Sequence, residues 1–259
     1  MLPMEICLSN SKPASTTHLK IDDFPRSLTP NHTLKIVPPK MDDFLNLIQS
    51  VPEDSNEYLI LSTSACLPSI YMNALHSVEY LHRQSSVQVV DTLTVHGGLI
   101  HILHKASQLS AKGLGLDEIV FKVRELVPHV YCLLCTPNLT YLSNLGIIDP
   151  AQAAIGELYE WMPVYSLDSG RFIIINKFQN SHQVYDYFIN FLSEFASINH
   201  VMIIQNTHQN TPESQLFTDH IRFRYPRSRV ICLPPSIPVT AMFGPEVFGM
   251  IVIENDTKR

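Results

Sequence analysis

Charged side chains are scarce. Asp, Glu, Lys and Arg together make up 16% of the 259 residues, against roughly a quarter in ordinary globular chains. Apolar side chains reach 45%, so a chain of this length can bury a substantial core; the composition suits either a well-packed interior or an apolar cavity. Basic residues are the rarer sign, 18 against 24 acidic ones, and the net charge of -6 repels a phosphate backbone. That argues against a nucleic-acid partner. Long apolar runs are missing too: none approaches the roughly 20 residues of a spanning helix, and no basic segment followed by a hydrophobic stretch opens the chain. The expectation is a soluble, cytoplasmic protein. Five cysteines, an odd number without framework spacing, indicate free thiols in a reducing compartment.

Glycine is absent from “LSTSACLPSIYMNA”, residues 61–74, where Ser62, Thr63 and Ser64 follow the apolar run Tyr58–Leu61. A strained nucleophile elbow needs small flanking residues, and a phosphate cradle needs converging backbone N–H groups free of bulk. Both readings fail on the same ground. What remains is a set of hydroxyls at a strand end, satisfying backbone groups or holding a polar group of a ligand.

Strand-length apolar runs at 58–62, 87–91, 129–135, 200–204 and 229–233 alternate with helical patterns, which predicts an α/β fold with parallel pairing. Thr136-Pro137 and Thr211-Pro212-Glu213 are helix starts, and Gly146 is a stop. The spacing of Val184, Phe188, Phe191, Leu192 and Phe195 predicts a helix over about 182–197 with one apolar stripe. Two runs flanking Asp168-Ser169-Gly170 read as a hairpin over 163–176. The mixed sheet this implies predicts a second domain: an N-terminal unit 1–156, weakly specified over 1–57, and a C-terminal unit 157–259. Within 1–57 a short strand at Ile6–Leu8 and a short helix around Phe44–Ile48 stand out.

Other groupings have ordinary explanations. Cys132 and Cys135 lie three apart in a β-like run and so point to opposite faces, with no second pair at zinc spacing. His96, His101 and His104 lack a nearby acidic ligand. Arg222, Arg224, Arg227 and Arg229 fit the cationic end of a helix, with an anionic docking patch as the rarer alternative. Residues 234–248 combine prolines, an apolar stretch and Gly244-Pro245; they read as a stiff loop, either a pocket wall or a plain connection. No Ser-His-acid set can be placed, no cofactor or metal is called for, and the protein reads as non-enzymatic.

Taken in order, these segments resemble the DegV family of bacterial fatty-acid-binding proteins. The family's Ser-Ser-x-Leu-Ser-Gly-Thr-Tyr-x-Ser-Ala pattern lies over Ser64–Ala74, and its Asp-Ser...Ser-x-Gly over Asp91-Thr92...His96-Gly97-Gly98. “LTYLSNLGIIDPAQAAIGELYEWMPVY”, “GRFIIINKFQN” and “PVTAMFGPEVFGMIV” follow with the family's order and spacing, so that the likeness runs from about residue 58 to 254. The N-terminal region is shortened by comparison.

The resemblance implies two α/β domains, a parallel Rossmann-like sheet and a mixed sheet, with a fatty acid between them. The acyl chain would be buried and the carboxylate held by hydroxyls, and in kinase-linked members the protein presents that carboxylate to a separate fatty acid kinase. The sequence departs from the pattern where the carboxylate would sit. Ile36 and Val37, Ala65, Pro68, Ile70, Ile147, Gln179 and Met242 stand at positions of hydroxyl, cationic or imidazole side chains. Ser64, Ser69, His96 and Thr240 remain as polar candidates, with Gln179, Met242 and Phe243 as further contacts. The expectation is a binding module for a fatty acid or similar apolar molecule with altered head-group contacts. The alternatives are a partner of a fatty acid kinase, and a scaffold whose pocket is filled by Met242, Phe243 and Phe248.

Overall fold

The computed structural model describes residues 2–9, 11–29, 32–50, 57–63, 67–81, 86–206 and 211–255. Strand β1 (Glu5–Leu8) pairs antiparallel with β2 (Ala14–Ser15) and β3 (Leu34–Val37), placing Ile6 opposite Ile36. Helix α1 (Met41–Ser50) buries Phe44 and Ile48, one turn apart on one face. Next come β4 (Glu57–Ser62), α2 (Pro68–Glu79) and β5 (Ser86–Asp91); the two strands pair in parallel, Ile60 opposite Val89 and Ser62 opposite Asp91.

Side chains alternate across this pair, so each face needs its own cover. Helices α3 (Gly97–Ala111) and α4 (Leu116–Leu126) pack on Leu59, Leu61 and Val90, while Phe44, Ile70 and Ala74 from α1 and α2 meet Ile60 and Val89. Parallel strands covered on both faces account for the unbroken apolar runs.

A larger mixed sheet follows. Strand β6 (Val130–Cys135) leads through α5 (Leu139–Asn144) and α6 (Pro150–Leu158) to the hairpin of β7 (Met162–Asp168) and β8 (Arg171–Phe178). Ser169 and Gly170 both adopt positive φ, 48° and 77°, which suits a two-residue turn whose twist matches the flanking strands. Then come α7 (Ser181–Leu192), β9 (Ile198–Ile204), α8 (Pro212–Arg224), β10 (Arg229–Leu233), α9 (Ile237–Phe243) and β11 (Phe248–Glu254). The sheet order is β10-β9-β11-β6-β7-β8.

Its two faces carry separate cores. Cys132 and Leu134 of β6 join a cluster with Ile6, Leu139, Met202, Met242 and Phe243, while Leu133 and Cys135 join one with Val184, Phe188 and Phe217. The two thiols thus lie on opposite sides of the sheet. Gly249 lets β11 run close to β6: a Cβ there would strike the Leu133 carbonyl oxygen.

The structure departs from expectation at four places. Parallel pairing holds for β4 with β5 and β9 with β10, but β6 is antiparallel to its neighbours because β11 enters between it and β9. The helix expected from Thr136 begins at Leu139, although the Thr136 hydroxyl accepts from the Asn138 N–H at 3.0 Å as a cap would, while donating to the Phe243 carbonyl. Helix α7 ends at Leu192, short of the expected 197. Residues 237–243, expected as a loop, form α9, with Val239–Phe243 buried. Strand β6 is hydrogen-bonded between β11 and β7 in the six-stranded sheet. Among the described residues, no helix is long and apolar enough to cross a membrane.

Candidate ligand site

The carboxyl ends of β4 and β5 are where a parallel α/β unit opens a crevice for ligands. Here the chain reverses through Asp91–His96 before α3 begins. The Thr92 N–H and hydroxyl both donate to the Ser62 carbonyl at 2.8 Å, the Thr63 hydroxyl donates to the Thr94 carbonyl at 2.7 Å, and the Leu93 N–H donates to Asp91 Oδ1 at 3.1 Å. These bonds hold a strained backbone: Leu93 and His96 sit at φ 49° and 51°, which costs a residue with a Cβ about 1–2 kcal/mol each. Strain of this kind in a well-bonded loop marks a place where side chains are being aimed.

Gly97 and Gly98 let α3 start close against its surroundings. A Cβ on Gly97 would lie 2.5 Å from Met202 Sδ, and one on Gly98 would collide with Thr94 Oγ1 and come within 2.9 Å of Val130. The loop therefore abuts the apolar face of the mixed sheet. Val95, between Thr94 and His96, belongs to the same buried cluster as Met202, Val239, Met242, Phe243 and Tyr165.

Among the described residues several polar atoms in this region are buried without a hydrogen-bond partner: Ser62 Oγ, Thr94 Oγ1 and His96 Nε2 on the loop side, Thr240 Oγ1 on α9, and the Tyr165 hydroxyl on β7. Each unsatisfied group costs about 1–3 kcal/mol, so a set of them around one apolar cluster calls for a polar partner. Burial pushes the His96 imidazole down to a pKa of about 4, leaving it neutral at neutral pH. Residues 62–63, 91–98 and 236–244 contain no Lys or Arg. What an anion would meet instead is the amino end of α3, whose aligned peptide dipoles carry partial positive charge.

The expected site residues separate into three groups. His96, Thr240, Met242 and Phe243 all border or lie within this one cluster. Ser69, in the first turn of α2, and Gln179, whose N–H donates to Gln183 Oε1 at the start of α7, are exposed and lie outside the buried polar set. Ser64 lies outside the described residues. Hydroxyls at the end of β4 do divide as a strand-end role requires, but unequally: Thr63 bonds backbone while the Ser62 hydroxyl is left over. Thr94 and Tyr165 escape sequence reasoning; a second hydroxyl two positions before His96 was the available signal for the first.

The other histidines do a different job. His101 on α3 meets His200 on β9 edge to face, ring centroids 4.9 Å apart, and His104 bonds Gln108. Among the described residues no group of three His, Cys, Asp or Glu could hold a metal. Burial, then His200, Lys105 and His104, lowers His101 to a pKa of about 4; burial, then Arg229 and His104, lowers His200. These imidazoles are neutral when folded and take up protons when unfolded, so stability should be flat above about pH 7 and fall as pH drops from 6.5 toward 4. Urea midpoints measured across that range should show it, and a His101→Asn variant should flatten the slope. A midpoint unchanged down to pH 4 would contradict the lowered affinity of these half-buried imidazoles for protons.

Comparison with known proteins places this geometry in context. A family model described as an uncharacterised protein of the DegV family matches residues 1–255. A DegV domain-containing protein of Staphylococcus aureus strain COL is 20% identical over 213 residues, 82% of this chain and 76% of that protein. Among solved structures, a DegV family protein of Eubacterium eligens loaded with heptadecanoic acid is similar at a TM-score of 0.81 and 16% identity, covering 98% of this chain and 92% of that one. The fatty acid kinase B3 protein of Streptococcus pneumoniae, loaded with linoleic acid, is similar at a TM-score of 0.80 and 18% identity, covering 98% and 90%.

Proposed function

Because the chain belongs to the DegV family, we propose that it binds a fatty acid or a closely related single-chain lipid and does no chemistry on it. The observation that carries this reading is the set of buried polar atoms, unpartnered among the described residues, of Thr94, His96 and Thr240 beside members of one apolar cluster, with that of Ser62 at the strand end to which their loop is bonded. The tail supplies affinity: about 14 methylenes at about 0.8 kcal/mol each give a gross gain of about 11 kcal/mol. The head group supplies selection, because a buried charge without partners costs several kcal/mol.

With a neutral imidazole, three hydroxyls and a helix amino end but no cation, the site suits a protonated acid, an ester or an alcohol at least as well as an ionised carboxylate. A second reading, presentation of the bound acid to a separate kinase, is favoured by the likeness to the Streptococcus pneumoniae kinase B3 protein. It predicts phosphorylation of the bound acid by a cognate kinase.

Native mass spectrometry of the purified protein, followed by solvent extraction, tests the main reading. The expected result is a mass increment of one single-chain lipid, exchangeable with added palmitate or its methyl ester. A protein that carries nothing and takes up neither compound would sink it.

A further inference from the structure

The arginine-rich stretch at the end of α8 has no part in the ligand site. Helix α8 buries Ser214, Phe217, Thr218 and Ile221 toward the sheet and leaves Leu216 and Phe223, seven residues and so two turns apart, 70% and 87% exposed on its outer side. Strand β10 is the edge of the six-stranded sheet, which puts the end of α8 and the turn after it at the outer margin of the molecule. Arg222, Arg224 and Arg227 all lie exposed there.

These guanidinium groups are not used up internally. Arg222 stands 3.5 Å from Asp219 in a pair exposed on both sides, worth little in water. Arg224 lies over the Tyr225 ring at 5.9 Å. Among the described residues no ion pair takes Arg224 or Arg227. A chain with a net charge of -6 thus gathers cations around Phe223, while Leu216, two turns back, neighbours the Asp219 that faces Arg222.

That combination selects its partner by chemistry. Apolar tips between cations fit the boundary of an anionic bilayer, where the tips enter the acyl edge and the cations meet phosphates. A single-stranded nucleic acid would use the cations and could stack on Phe223, but it offers nothing to Leu216. We propose that this face docks on anionic phospholipid bilayers, with Leu216 and Phe223 entering the head-group boundary and Arg222, Arg224 and Arg227 pairing with lipid phosphates. The docking stands apart from the ligand site and does not require it.

Flotation of the full chain with phosphatidylcholine–phosphatidylglycerol vesicles, against pure phosphatidylcholine, at low and high salt, tests the proposal. The expected result is flotation with the anionic vesicles alone, abolished by high salt. Arg224→Gln with Arg227→Gln should weaken it about 25-fold, about fivefold per charge, and Phe223→Ser about tenfold. All three side chains are exposed, so unchanged melting curves confirm that the variants are folded, and each variant is informative without the other. No flotation with anionic vesicles at low salt, equal flotation with neutral ones, variants that float as the parent does, or tighter binding to a single-stranded RNA oligonucleotide would each overturn it. Uptake of a fluorescent fatty-acid probe by the same variants, expected unchanged, keeps failure here distinct from failure of the ligand reading.

Discussion

Replacing Phe243 with alanine should lower the stability of the ligand-free protein by about 3–5 kcal/mol, the cost of a large cavity in a core that cannot collapse around it. The ring is fully buried at the end of α9, with the rings of Phe172 and Tyr165 edge to face at 4.8 and 5.5 Å. Beneath it the chain cannot shift freely, because the Phe243 carbonyl accepts from the buried Thr136 hydroxyl and Gly244, at φ 83°, comes within 2.9–3.1 Å of Asn138 and Tyr141 at its Cβ position. For a domain of this size the loss corresponds to roughly 10 °C in melting temperature. A drop under about 1 kcal/mol in urea titrations would mean that the ring is not a packing element.

The same variant separates two readings of the family resemblance. If Phe243 walls a working pocket, its removal weakens lipid binding by taking away contacts with the tail. If it fills a pocket that has been lost, the parent protein binds nothing and the variant, with new apolar space, gains binding. Measuring lipid uptake by both proteins under the same conditions decides between them, and the second outcome would replace the binding function with a filled scaffold.

How far the sequence spoke for this structure depends on the range of the interaction concerned. Runs such as Tyr58–Leu61 and Val87–Val90 became strands because their environment, covered by helices on both faces, is written into consecutive residues. The turn at Ser169-Gly170 was legible for a similar reason: a two-residue loop needs positive φ, and few residues adopt it. Strand β3 was not foreseen, because its four residues acquire a role only by pairing with β1 across an interval with no regular pattern of its own. Helix α9 was hidden behind its prolines, which read as a stiff loop but occupy positions that a helix start tolerates.

The candidate site was legible in part. His96 and Thr240 stood out as polar side chains that remain where the family pattern has lost its other hydroxyl and cationic groups. The exposure of Ser69 and Gln179 was not, since a motif position fixes a residue's place in the chain and not the face it presents once the helix has turned. Nor could spacing show that Thr63 is satisfied while Ser62 is not; that depends on which hydroxyl reaches the Thr94 carbonyl of the neighbouring strand's loop.

Substituting Thr240 by valine should move stability and affinity in opposite directions. The side chain is completely buried, its backbone N–H already donates to the Ser236 carbonyl at 2.8 Å, and its hydroxyl has no partner. Valine keeps the branched shape and removes the unsatisfied oxygen, so the ligand-free protein should gain about 1–2 kcal/mol, or roughly 3–5 °C in melting temperature. Lipid binding should fall about tenfold or more, because a hydrogen bond to the head group is lost, worth about 1.5 kcal/mol or more when that group is charged. Serine at the same position keeps the hydroxyl and loses a methyl group; it should retain most of the affinity while costing about 1 kcal/mol of stability. The pair of variants therefore separates the hydroxyl from the packing. If valine destabilises the free protein, the hydroxyl is already satisfied there and the argument from unpartnered groups fails at this position; if valine stabilises it yet leaves lipid affinity untouched, Thr240 does not face the head group and the polar end of the site must be built from Ser62, Thr94, His96 and Tyr165.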